Sequence, residues 1–265
     1  MSHFAVLVLH EEGQDIEELL APYSKNLKVE PHLKYSHDKA LEVAEKEFNR
    51  WNEFAKEKKL HGDEPLEWFV KQCSSYSLVN GDIYTTYNEN SKWDWWEIGG
   101  RFSGGLRLTD EGLNNKYKEE DGWSSPTEYD KEWYRKVSSA PVKDIEWIVP
   151  LTPEEVAKAY KWWMANIEQH EEFSDDKDEF FFWNPEWYKE RYSDFYTYVK
   201  LQELPCYHAV VTPDGIWHEE SEMGWFACTD GDPKDELKWD LEFYDTFIKP
   251  NLDSDLVATV VDCHI

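Results

Sequence analysis

The sequence predicts an α+β fold of ferredoxin-like type: an antiparallel or mixed sheet with helices on one face. A mainly helical insertion at about residues 110–204 sits within a single domain spanning 1–265. Three observations lead there. Strand-forming apolar runs stand near both ends, at residues 4–9 and 256–262; amphipathic helical stretches separate the strand patterns; and Pro213-Asp214-Gly215 marks a hairpin turn late in the chain. In such a sheet the first and last strands are antiparallel neighbours, which places His3 near His264.

Taken in order, Phe4-Ala-Val-Leu-Val-Leu9 has the length and continuity of a buried central strand. A short helix over residues 15–20 stops before Pro22, and 22–36 reads as irregular. From His37 to Lys59 the residues Leu41, Ala44, Phe48, Trp51 and Ala55 recur every three or four positions, the stripe of an amphipathic helix. Asp63 and Pro65 open a shorter one. Residues 83–87 and 101–108 read as strands paired across a long loop, and 110–145 as irregular. Thr152-Pro-Glu-Glu155 is a capping box with proline at the first helical position, opening a helix with Val156, Tyr160, Trp163 and Ile167 on one stripe. Asn184-Pro185 opens another with Trp187, Tyr188, Tyr192, Phe195 and Val199 inward. A strand over 206–212 turns back into 216–218, and Asp232-Pro233 starts the last helix, with the stripe Leu237, Leu241, Tyr244 and Ile248.

Charge narrows the function. With 28 basic and 56 acidic residues the formal net charge is -28, a field that repels nucleic acid and anionic membrane. The 16% aromatic content argues against disorder. Cys73, Cys206, Cys228 and Cys263 form no Cys-x-x-Cys pair, and no secretory signal is evident, so free thiols in a cytoplasm are expected. No apolar run is long enough to cross a bilayer.

Residues 91–105 stand out, holding three tryptophans, two acids, two cations and four glycines in fifteen positions. Trp93, Trp95 and Trp96 supply flat apolar surface, Gly99-Gly100 permit positive φ and close approach, and Lys92 and Arg101 can hold an anion. With Asp94 and Glu97 they suggest an aromatic clamp for a small nucleotide-like ligand; the alternative is ordinary core packing of alternate tryptophans. Glu222-Met-Gly-Trp-Phe226 repeats the pattern, making Glu222 and Trp225 further ligand candidates or a hydrophobic plug. Asp262 and His264 at the end of the closing strand have the types needed for catalysis, and His3, His218 and His264 for a divalent metal, although no metal-binding spacing is present. Cys263 alternates away from both.

Met1-Ser-His-Phe-Ala-Val-Leu-Val8, Ser91-Lys-Trp-Asp-Trp-Trp-Glu-Ile-Gly-Gly-Arg101, Val211-Thr-Pro-Asp-Gly-Ile-Trp217, Glu222-Met-Gly-Trp-Phe226 and Val260-Val-Asp-Cys-His-Ile265 together resemble an uncharacterised family of accessory proteins encoded by tailed phages and prophages. The resemblance spans both ends and the middle but not the insertion, and departs at Phe102, where the family pattern leads us to expect tryptophan. It implies an accessory, anti-defence role in the host bacterial cytoplasm and carries no established activity. The leading expectation is therefore sequestration of a nucleotide-like defence signal. The alternatives are a phosphodiesterase-type hydrolase of that ligand, with or without metal, and an acidic inhibitor that binds a host defence protein through a surface such as residues 168–179. A homo-oligomer is compatible with each.

Overall fold

Six apolar positions in a row, Phe4 to Leu9, leave the middle of strand β1 (His3–His10) no polar face, and the fold buries it at the centre of a sheet. The structure is a computed structural model and describes residues 2–55, 65–119, 134–177, 184–221 and 231–265, with backbone only at 52–55 and 117–119. After β1 come α1 (Ile16–Leu20), β2 (His32–Tyr35), α2 (His37–Ala55), α3 (Pro65–Lys71), β3 (Tyr76–Val79), β4 (Asp82–Thr85), β5 (Trp95–Ile98), β6 (Leu106–Arg107) and α4 (Asp110–Glu119). Then follow β7 (Lys136–Val137), β8 (Ser139–Pro141), α5 (Pro153–Asn166), α6 (Pro185–Tyr192), α7 (Phe195–Glu203), β9 (Ala209–Val211), β10 (Trp217–Glu219), α8 (Pro233–Phe243) and β11 (Val257–His264). The fold is α+β. No helix among the described residues is long and apolar enough to cross a membrane.

Where the sequence reading has one domain, the chain separates into two compact units, Ala21–Lys92 and the remainder, Met1–Leu20 with Trp93–Ile265. The smaller unit has its own antiparallel sheet, ordered β2-β4-β3, and its own core of Ala40, Ala44, Leu66 and Ile83. Residues expected to be irregular thus supply β2. The expected pairing of 83–87 with 101–108 does not occur, because β4 is held between β2 and β3.

The larger unit is built on the sheet β10-β9-β1-β11-β5. As expected, β1 and β11 are antiparallel along their whole length, from His3↔His264 to His10↔Val257. The hairpin β9-β10 lies on the other side of β1, with β9 parallel to it. The outer edge of β11 is shared: β8 pairs with Val257–Thr259 and β5 with Val261–His264. Between them the Val260 N–H donates to Ser138 O, and Val260 O accepts from the Gly99 N–H, each at 2.8 Å. On one face Leu7, Leu9, Ala258 and Val260 pack with Leu106, Trp147, Val210, Phe243 and Ile248.

The insertion is mainly helical, although α4, β7 and β8 occupy ground expected to be irregular; β7 pairs with β6, which falls where a strand was expected. The capping box forms as read, with Thr152 Oγ1 accepting from Glu155 N–H at 3.2 Å and Glu155 Oε2 from Thr152 N–H at 2.8 Å. The single helix expected after Asn184 breaks in two at Ser193, whose φ of 65° no helix tolerates; Asp194 recaps the chain through the Thr197 N–H. The expected stripe holds at Tyr244 and Ile248, which pack in the core, but within α8 the inward face is Trp239, Asp240 and Phe243, continued by Phe247, in place of Leu237 and Leu241. Trp239, Phe243 and Phe247 pack on one another edge to face or tilted, with centroids 5.3–5.7 Å apart, so aromatic area decides the face.

Candidate functional site

Side chains alternate along a strand, so register decides which of them share a face. His3 pairs with His264, which pairs with Trp95; Ala5 pairs with Asp262, which pairs with Glu97. All six therefore lie on one face at one end of the sheet. Phe4, Cys263 and Trp96 form the row between them on the opposite face. Cys263 is buried and its thiol pKa is raised by desolvation and by the Asp262 charge, so it remains a protonated core residue.

Asp262 is 0% exposed, a carboxylate that must be compensated within the protein. His3 Nδ1 lies 2.8 Å from its Oδ1, and the Arg101 backbone N–H donates to its Oδ2 at 2.9 Å. The second pair is His264 with Asp94, Nδ1 to Oδ1 at 2.6 Å. A carboxylate only accepts, so both contacts put the proton on Nδ1 and leave Nε2 as the working nitrogen of each ring. The rings approach edge to face with centroids 5.1 Å apart, and Trp95 stands 6.3 Å from His3. Neither Nε2 has a hydrogen-bond partner among the described residues, and that of His264 is buried. The result is two adjacent imidazoles, each oriented by its own carboxylate.

The glycines explain how the chain reaches Asp262. Gly99 and Gly100 have φ of 72° and 48°, and a Cβ on Gly100 would lie 2.5 Å from Asp262 Oδ2 and 2.8 Å from Glu97 Oε1. The double glycine does permit close approach, as its sequence suggests, but what approaches is the protein's own carboxylate. The 3-10 turn Gly100–Phe102 that follows also replaces the strand expected from Arg101.

The other candidates separate cleanly. Within the tryptophan segment Trp95–Ile98 is an edge strand and not a loop, so alternation separates Trp95 from Trp96, while Trp93 lies before the strand. Trp95 is 47% exposed on the dyad face. Trp93 is 9% exposed, with its indole N–H donating to Leu20 O at 3.2 Å, and Trp96 packs edge to face against it. A clamp built from all three rings is thus corrected to one ring. Arg101 and Glu97 are exposed, and Arg101 has no carboxylate partner among the described residues. Lys92 belongs to the smaller unit, where its backbone N–H donates to Tyr23 O at 2.7 Å.

His218 does not join the histidines at the sheet end. It pairs with Val210 opposite Leu7, two strands across and four residues along from His3, or about 10 Å and about 13 Å by strand geometry, with its ring against Phe247. Among the described residues no group of three His, Cys, Asp or Glu side chains is placed to hold a metal. Glu222 and Trp225 lie outside the described residues. The acidic run begins with Glu168 paired to Lys189 at 3.0 Å and continues as a largely exposed 3-10 turn, Glu171–Asp176; the rest of it falls largely outside the description.

Sequence reasoning reached Asp262, His264 and His3 but took Asp94 for a ligand contact, whereas it orients His264. A single acid five positions before the glycines gives no local sign of a partner 170 positions away. Comparisons of the chain with protein-family models, with characterised proteins and with solved structures give no match.

Proposed function

We propose that the His3–Asp262 and His264–Asp94 pairs are an acid–base site that hydrolyses a small nucleotide-like phosphodiester. The observation that carries this is the pair of imidazoles 5.1 Å apart, each with Nδ1 on a carboxylate. One Nε2 takes a proton from water as the water oxygen bonds to phosphorus. The other, as imidazolium, gives its proton to the ester oxygen as the old P–O bond breaks. The pair then resets by returning the proton through His3, whose Nε2 is the one of the two that is not buried. Positioned acid–base groups of this kind contribute about 10²- to 10⁴-fold each. Exposed Trp95 offers a plane for a base, and Arg101 a cation for the phosphate, local attractions that offset the repulsion from the acidic surface. The likeness to phage accessory proteins supports a defence signal in the host cytoplasm as the ligand.

A second reading, sequestration without turnover, is favoured by the exposed Trp95 indole and by the Arg101 guanidinium, which no carboxylate among the described residues pairs. Incubation with 2′,3′-cyclic AMP and with cyclic dinucleotides, followed by chromatography, separates the two. Hydrolysis requires product formation that His3→Ala and His264→Ala each reduce about 10²-fold or more. Unaltered ligand that co-purifies with the protein, and is lost with Arg101→Ala, favours sequestration. Neither product nor bound ligand overturns both.

A further inference from the structure

A cavity of about 510 Å³ opens one pleat inward from the dyads, walled by Phe102, Leu106, Trp147, Leu204 and Tyr207. Its floor includes Ala5 and Val260. These belong to the dyad face: Ala5 is the register partner of Asp262, and Val260 lies two residues before it. Ala5 is also one of only two half-buried positions on β1, the other being His3, while the remaining six are buried. The central strand is therefore accessible where the dyads and the cavity adjoin, and nowhere else on this face.

We propose that this cavity receives an apolar ring carried on the non-leaving oxygen of the ligand, so that the substrate class is a phosphodiester with an aryl or base-bearing group on that side and not an alkyl group; this rests on the acid–base reading above. Three features set that chemistry. The volume lies within the range of small-ligand pockets. The walls are mainly aromatic and aliphatic, and the charged groups on them are engaged within the protein: Arg107 pairs with Glu146 at 2.9 Å, and the Glu203 carboxylate accepts from the Leu151 N–H at 2.9 Å. One pleat, about 7 Å along the strand, is a suitable reach from a phosphorus at the imidazoles to a ring carried on the same ester.

The test compares two diesters with the same leaving group, methyl 4-nitrophenyl phosphate and 1-naphthyl 4-nitrophenyl phosphate, in wild type and in Val149→Trp, which fills the cavity from its half-buried rim. The naphthyl ester is expected to have a kcat/KM about 10- to 100-fold higher, the worth of burying one ring. Val149→Trp is expected to erase that preference and leave the methyl ester unchanged. Equal kcat/KM for the two esters in wild type, or a preference that survives in the folded variant, overturns this inference while the acid–base reading stands. Absence of turnover with both esters overturns the acid–base reading itself. Ala5→Leu, which crowds the floor, serves as the second variant where Val149→Trp fails to fold.

Discussion

Two places in the larger unit bury acidic groups beside basic ones, and they do opposite things with them. Between α6 and α8 the Arg191 guanidinium meets Glu236 at 3.2 Å and Asp240 in a short contact, while the Cys206 thiol donates to the other Asp240 oxygen at 3.0 Å. Burial works to strip Arg191 of its proton, but the Asp240 and Glu236 charges outweigh it and its pKa is raised. Desolvation, reinforced by Asp240, raises the Cys206 thiol, although the residue as a whole exposes part of its surface. Both shifts keep the proton on Arg191 and on Cys206, and the cluster is a clasp fastening the insertion to α8. At the sheet end Asp262 is equally saturated, yet each imidazole keeps one nitrogen that no described residue uses. Arg191 Nη1 also lacks a hydrogen-bond partner among the described residues, so the difference lies in the kind of spare nitrogen: a guanidinium nitrogen can only donate, whereas the free nitrogen of a neutral imidazole accepts a proton.

The largest effect expected from this contrast is on stability at the clasp. Arg191→Ala leaves Glu236 and Asp240 facing each other with no cation, and breaking a buried pair from one side costs about 3–5 kcal/mol. Urea unfolding monitored by circular dichroism reads this directly. Replacing the cluster together, as Arg191→Met with Asp240→Leu and Glu236→Gln, is expected to recover most of it. A loss below about 1 kcal/mol for Arg191→Ala would erase the distinction from a surface pair.

A smaller stability effect is expected at the dyads. Asp262 accepts from two donors, His3 Nδ1–H and the Arg101 N–H. An asparagine has one accepting oxygen, so Asp262→Asn turns an NH₂ toward one of those donors and costs about 1–3 kcal/mol. Because His3 also loses its orientation, turnover is expected to fall well beyond what the lost stability explains. Activity that follows only the folded fraction, as measured by thermal melts, would reduce Asp262 to a structural residue.

The same contrast marks what could be read from the chain alone. Periodicity and composition gave β1, β11, α2 and the capped start of α5, because these elements are decided by local pattern. Antiparallel pairing of the two end strands then put His3 beside His264. What the chain did not reveal depends on distant partners. Trp93 and Trp95 are identical in type and two residues apart, and the first is buried because Leu20 O takes its indole proton. Gly100 makes room for Asp262, a residue 162 positions later in the chain. Ser193 adopts a left-handed φ that a serine does not advertise, and it splits a helix whose aromatic spacing looked continuous.

The smallest effect tests the clasp's surroundings through pH. Tyr192 ends α6 beside Arg191, whose guanidinium lies 5.2 Å over its ring, and Tyr188 and Tyr198 pack around it. Desolvation raises its phenol from 10.0 to about 12, against the pull of Arg191 in the other direction. In the unfolded chain the phenol ionises near 10, so between about pH 10 and 12 the unfolded state sheds a proton that the folded state keeps, and folding stability falls as pH rises. Below that window both states hold the proton and the group contributes no pH dependence. Tyr192→Phe has no proton to lose. Its melting temperature is therefore expected to sit near that of wild type at about pH 8, shifted only by the lost hydroxyl contacts, and to gain on wild type steadily through the alkaline window. Melting curves for the two proteins that stay a constant distance apart up to about pH 12 would mean the ring is solvated, and that the aromatic packing does not shield Arg191 from water.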